Sequence, residues 1–113
     1  MDTDQDLKII ANSISDTKGL DPVTIDIRER SYFADYMVVC HGTSKAHTRG
    51  ISDRVEMAMK RRKVPPLGIE GYDESQWILM DYNTIVVHIF LEDTRASYQL
   101  EELYQAADGQ KET

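Results

Sequence analysis

Basic residues are in short supply in this chain: 13 lysines and arginines stand against 20 aspartates and glutamates, giving a net charge of −7. Phosphate backbones repel such a domain, which disfavours direct nucleic-acid binding as its main function. The same charge steers encounter with a basic protein partner. Cysteine is nearly absent as well. The single one, Cys40, lies in an apolar, strand-like run, so there is no disulfide framework and a reducing compartment is expected. Apolar stretches stay under about ten residues, too short to span a membrane. A targeting segment is not evident either, because Met1-Asp2-Thr3-Asp4-Gln5-Asp6 is acidic, the reverse of a secretory or organellar leader. Internal repeats and low-complexity segments are missing. These absences leave the expectation of a soluble, cytoplasmic protein. Its 113 residues form one domain, 1–113, with a modest core and a frayed polar tail over about 106–113.

What the chain does have is concentrated between Glu70 and Leu91. Two dense apolar strands flank a tight turn there and carry the only tryptophan. Trp77, Leu79 and Asp81 point one way, and Ile78, Met80 and Tyr82 the other. In the next strand Ile85, Val87, Ile89 and Leu91 share a face, and Val86, His88 and Phe90 share the opposite one. A hairpin wet on one side would alternate polar with apolar, so something covers both sides of this one: flanking helices, or a partner on one face.

The rest of the chain supplies the flanks. Leu7, Ile10, Ala11 and Ile14 recur at helical spacing and predict a helix over about Asp4 to Thr17, ended by Gly19 and Pro22. Val23 to Ile27 alternates with period two, a strand with one solvent-facing side. Tyr36-Met37-Val38-Val39-Cys40 is a continuous apolar strand. Thr43 or Ser44 caps a second helix running to about Lys63, with Ile51, Val55, Ala58 and Met59 inward, and Pro65-Pro66 prevents its continuation. A short strand from Leu67 to Glu70 precedes the hairpin. Asp93 or Thr94 caps a last helix in which Tyr98, Leu100, Leu103 and Tyr104 mark apolar contacts. The fold class is α/β, a mixed sheet with flanking helices. The crossover from Tyr36 to Ile69 is expected to be right-handed, with those two strands parallel.

Several separated motifs fall in a recognisable order: Ala34-Asp35-Tyr36, Gly42-Thr43-Ser44, Glu70-Gly71, Trp77 to Tyr82, Val87-His88-Ile89-Phe90 and Tyr98-Gln99-Leu100-Glu101. Nearly the whole chain, from the first helix to Tyr104, resembles the ribosomal silencing factor family, also called the Iojap family. The resemblance implies a protein that binds the large ribosomal subunit at its intersubunit face, through the basic large-subunit protein numbered fourteen. It implies that joining of the small subunit is blocked and translation lowered when nutrients are scarce. It also implies a nucleotidyltransferase-like fold without the activity, no cofactor, and a homodimer in isolation. On this resemblance the partner-binding candidates are Trp77, Leu79, Asp81, Tyr82, His88 and Tyr98. Trp77 and Leu79 match the strand implicated in the contact, and Asp81 shares their face. A core tryptophan beneath a helix is the alternative for Trp77.

Other residues invite chemistry and give little. Gly42-Thr43-Ser44 sits where nucleotidyltransferases hold a triphosphate, at a helix N-terminus with free amides. Such enzymes also need paired carboxylates on neighbouring strands for magnesium, and the later strands offer only Asp81. The turn therefore reads as a helix cap. Cys40, His41, His47 and His88 show none of the zinc spacings, and His88 reads as a sheet histidine rather than a base. Lys60-Arg61-Arg62-Lys63 is either the solvated end of a helix or a minor contact to ribosomal RNA. Glu92-Asp93 and Glu101-Glu102 read as wet helix surface or as groups that meet basic partner residues. Two rivals stay open: a large-subunit assembly factor that does not silence, and a small nucleotidyltransferase using Gly42, Thr43, Ser44 and Asp81.

Overall fold

The computed structural model describes residues 3–98 and 100. Helix α1 spans Thr3–Asp16, with Ile10 and Ile14 buried and Leu7 partly so; Ala11 is exposed, contrary to its expected inward position. The chain leaves α1 through Lys18 in the left-handed region and Gly19, whose N–H returns to the Ile14 carbonyl at 2.8 Å. A Cβ on Gly19 would lie 2.5 Å from the Ile14 side chain. That close approach, rather than a need for unusual φ, selects glycine here.

Strand β1 spans Leu20–Asp26 and pairs antiparallel with β2, Tyr36–Gly42. The register of β1 shifts between Leu20 and Val23, where Pro22 lacks a donor for the ladder, as an edge strand tolerates. Ile25 and Ile27 are buried while Thr24 and Asp26 are exposed, the alternation expected of a strand wet on one side. Helix α2, Lys45–Arg61, is capped by Ser44, whose Oγ accepts from the His47 N–H. It ends two residues short of the expected Lys63, which takes a positive φ ahead of the proline pair.

Strands β3 (Gly68–Glu70), β4 (Trp77–Asp81) and β5 (Ile85–Leu91) follow. Helix α3, Glu92–Tyr98, starts directly after β5, so Asp93 and Thr94 lie within its first turn instead of capping it. Leu103, Tyr104, Glu101-Glu102 and the expected tail fall outside the described residues.

The five strands are ordered β1-β2-β5-β4-β3, and only the β2–β5 pair is parallel. Strand β3 runs in the direction of β2, as expected, but is not its neighbour: β5 and β4 lie between them. The apolar content explains the order. Ile85 to Phe90 are buried without interruption, which suits the centre of a sheet, whereas three-residue β3 belongs at an edge.

Both long helices cover one side of the sheet. Ile10, Ile14, Ile51, Val55 and Met59 pack there against Ile78, Met80, Ile85, Val87 and Ile89. The other side holds a smaller core of Ile25, Ile27, Ala34, Met37, Val39, Val86 and Phe90, with Trp77, Leu79 and Leu100 against it. Beneath α1 and α2, Asp6 accepts a hydrogen bond from Arg62 Nε at 2.8 Å, a buried carboxylate paired across the two helices.

Candidate partner-binding surface

The register of the hairpin lays out the thinly covered side in three rows. Trp77 sits opposite Phe90, Leu79 opposite His88, and Asp81 opposite Val86. Strand β3 extends two of those rows, with Glu70 opposite Leu79 and Gly68 opposite Asp81. Directly opposed residues share a face, so Glu70, Leu79 and Trp77 all look outward on the side away from α1 and α2.

Trp77 is held from three directions. Its indole N–H donates to His88 Nδ1 at 3.0 Å. Its ring lies 4.9 Å from that of Phe90 and 4.8 Å from that of Tyr98, centroid to centroid, in tilted contacts. Such aromatic contacts add to area burial. His88 itself is 7% exposed. Because its Nδ1 accepts, the neutral ring carries its proton on Nε2. Burial pushes its pKa down to about 4. Helix α3, which brings Tyr98, is tied to the sheet by Arg95, whose guanidinium donates to His41 Nδ1 at 2.8 Å and to the Leu20 carbonyl at 3.2 Å.

The approach to Trp77 is fixed from the opposite side of the sheet. Gly71 has φ +79°, and a Cβ there would sit 2.1 Å from the Trp77 carbonyl oxygen, so only glycine fits. Ser75, fully buried, accepts from Thr48 Oγ1 at its carbonyl and from Arg49 at its hydroxyl, both at 2.8 Å. Tyr72 donates its hydroxyl to Asp53 at 2.8 Å. Three α2 residues thus pin the segment 71–76. Between that segment, β4 and α3 lies a groove of about 320 Å³, lined by Glu70, Gly71, Glu74, Gln76, Trp77, Leu79, Thr94 and Tyr98.

The expected contact residues are distributed unevenly about this groove. Trp77 and Leu79 are half-buried on it, and Tyr98 is 58% exposed beside them. Asp81 is on the same face, but its carboxylate accepts from the Asn83 N–H at 2.8 Å and so closes the hairpin turn, where Asn83 has positive φ. His88 lies beneath Trp77 and supports it without reaching the surface. Tyr82 is a correction: it is 3% exposed, on the side covered by the helices, in the main core. Its hydroxyl has no partner among the described residues, and desolvation raises its pKa. A residue so placed offers nothing to a partner. Glu70 and Gly71 entered the sequence reading only as a family motif, not as contact residues, and Glu74 and Arg95 were not singled out. Glu70 becomes visible only once β3 is registered against Leu79.

The turn at residues 42–44 is satisfied internally. The Thr43 N–H donates to His47 Nδ1 at 3.1 Å, the His47 N–H to Ser44 Oγ at 3.1 Å, and His47 Nε2 meets the Thr17 carbonyl at 2.8 Å. The Thr43 and His47 amides are thus taken up within the turn, in keeping with a helix cap. Cys40 is buried in the core with its thiol pushed up to about 12, and His41 points to the other side. Among the described residues no group of three or more His, Cys, Asp or Glu is arranged to hold a metal ion. Of the basic cluster, Arg62 is committed to Asp6, and Lys60 faces Glu56 at 3.6 Å.

An aromatic groove with an acidic rim is a surface suited to a protein partner. Comparison with known proteins gives the class: the family described as "ribosomal silencing factor during starvation" matches residues 1–113, and the chain belongs to it. The ribosomal silencing factor of Bacillus subtilis is 34% identical over 98 residues, covering 87% of this chain and 83% of that protein. A mouse protein named for mitochondrial assembly of the ribosomal large subunit is 28% identical over 102 residues, covering 88% of this chain but 45% of its own length. A crystal structure from Chromobacterium violaceum superposes with a TM-score of 0.90 at 27% identity, covering 93% of this chain and 88% of that one. Family membership ties the chain to ribosome-related regulation and assembly.

Proposed function

We propose that this protein binds the large ribosomal subunit through the Trp77–Leu79 face, contacting the basic large-subunit protein numbered fourteen at the intersubunit surface. Bulk placed there blocks the small subunit, so translation is repressed by occlusion and without catalysis. The fold is read as nucleotidyltransferase-like with its metal carboxylates missing, and the free protein as a cytoplasmic homodimer. One observation carries the reading: the only tryptophan is half-buried, locked in orientation, and set in an acidic groove on the side of the sheet that the long helices leave open. Aromatic residues held rigidly at a surface lose little entropy on binding and make good anchors.

Co-sedimentation with purified subunits, followed by addition of small subunits, tests this. Binding to large subunits alone with joining suppressed is the expected result; no binding to either subunit sinks the proposal. The name of the mouse relative favours a second reading, assembly of the large subunit without silencing, and binding with joining intact would select it. Saturable, magnesium-dependent nucleotide binding would instead return the nucleotidyltransferase to consideration.

A further inference from the structure

The groove beside Trp77 has the chemistry of a receptor for one particular side chain. Its volume, about 320 Å³, is at the bottom of the range of about 300–1,000 Å³ usual for ligand pockets, which suits a single long side chain better than a cofactor. One of its walls is aromatic, a single surface made by the indole of Trp77 and the phenol ring of Tyr98 packed on each other, with centroids 4.8 Å apart and planes inclined at 54°. Its rim carries Glu70 and Glu74, both exposed. No described residue forms a hydrogen bond or ion pair with either carboxylate. The nearest cation on α3, Arg95, is engaged with His41 and the Leu20 carbonyl on the far side of Trp77. Glu70 is on the groove face because of its register with Leu79, and the bonds from α2 to Tyr72 and Ser75 hold the loop bearing Glu74 in place beside β4. A planar guanidinium stacks on aromatic faces and pairs with carboxylates through its fork of N–H donors; an ammonium matches neither geometry as well.

We infer that this groove receives an arginine side chain of the partner protein, stacked against Trp77 and Tyr98 and neutralised by Glu70 and Glu74. The inference rests on the proposed binding of the large subunit and names the group recognised there.

Two measurements test it. Affinity for purified large subunits is compared for the wild type, the double variant Glu70→Gln/Glu74→Gln, and Asp4→Asn, which removes like charge from α1. The double variant is expected to bind about tenfold or more weakly, with a shallower salt dependence, while Asp4→Asn matches the wild type. In parallel, the emission of Trp77, the only tryptophan, is titrated with capped triarginine, trilysine and tricitrulline peptides. A saturable change with triarginine, weaker with trilysine, absent with tricitrulline and lost in the double variant, is the expected pattern. Wild-type binding to large subunits that the double variant retains in full overturns the arginine receptor and leaves the proposed function standing. A double variant that changes oligomeric state while keeping its affinity for the subunit assigns the groove to a second copy, and likewise overturns it. If the wild type ignores large subunits, the proposed function fails and the peptides decide: equal responses to triarginine and tricitrulline overturn the receptor, and the selective pattern upholds it.

Discussion

Trp77 does two jobs, and the balance between them sets what its removal does. It is half-buried against Phe90, Tyr98 and His88, yet retains an outward surface on the groove. Trp77→Ala is expected to weaken large-subunit binding by about 2 kcal/mol or more. The packing makes some loss of stability inevitable, of about 1–2 kcal/mol, in place of the unaltered midpoint that a purely exposed anchor would show. Denaturant unfolding beside subunit binding separates the two effects; a stability loss that accounts for all of the binding loss would remove the anchor role. Gly71 is the sharper case. Gly71→Ala sets a Cβ 2.1 Å from a backbone oxygen at φ +79°, and should cost about 2 kcal/mol or more in unfolding free energy. An unchanged unfolding midpoint would show that the turn relaxes freely.

His88 makes stability depend on pH. Its folded pKa of about 4 lies below the ordinary value of 6.5, so the unfolded chain binds the proton more readily. Its contribution is fully present above about pH 6.5 and is lost as pH falls toward 4, by up to about 3 kcal/mol. The cause is desolvation of the charged ring in its buried site; in addition, a protonated Nδ1 can no longer accept the Trp77 N–H. The difference in unfolding free energy between wild type and His88→Gln should therefore shrink as pH falls through that window. A difference constant with pH would mean that the imidazole is not what titrates.

At the level of elements, the two long helices do more than cover the core. Helix α2 reaches across the sheet edge with Thr48, Arg49 and Asp53 to pin the segment leading into β4, so the groove inherits its shape from the opposite face. Helix α1 is locked to the end of α2 by Asp6 and Arg62. Arg62→Met would strand a carboxylate that is 2% exposed. Breaking a fully buried pair costs about 3–5 kcal/mol; the part-exposed guanidinium lowers the expectation here to about 2 kcal/mol. Thermal unfolding at neutral pH checks it, and a variant as stable as the wild type would place Asp6 in contact with water. The helices and strands were legible from periodicity because Leu7, Ile10 and Ile14, or Val23 to Ile27, meet only local demands. Their ends were less so: α3 begins at Glu92 with no intervening cap, since β5 runs straight into it.

For the molecule as a whole, the decisive property is asymmetry. Among the described residues, two helices shield one side of a five-stranded sheet, α3 and the residues around Ile27 and Ala34 shield the other, and the groove lies between α3, β4 and the segment 71–76. The alternating pattern of the hairpin already determined that Trp77 and Leu79 oppose Ile78 and Met80, because strand geometry leaves no other choice. Composition determined an acidic protein without disulfides, and the spaced motifs led to the family. Which side lies open was decided only by the tertiary structure, because both faces of the hairpin are apolar and either could have lain beneath the long helices. The same holds for Tyr82, sealed in the core, for Asp81, spent on its own turn, and for His88, placed beneath the indole. Glu70 joined the site only through its register with Leu79. Each of these depends on contacts between segments far apart in the chain, which no local pattern encodes.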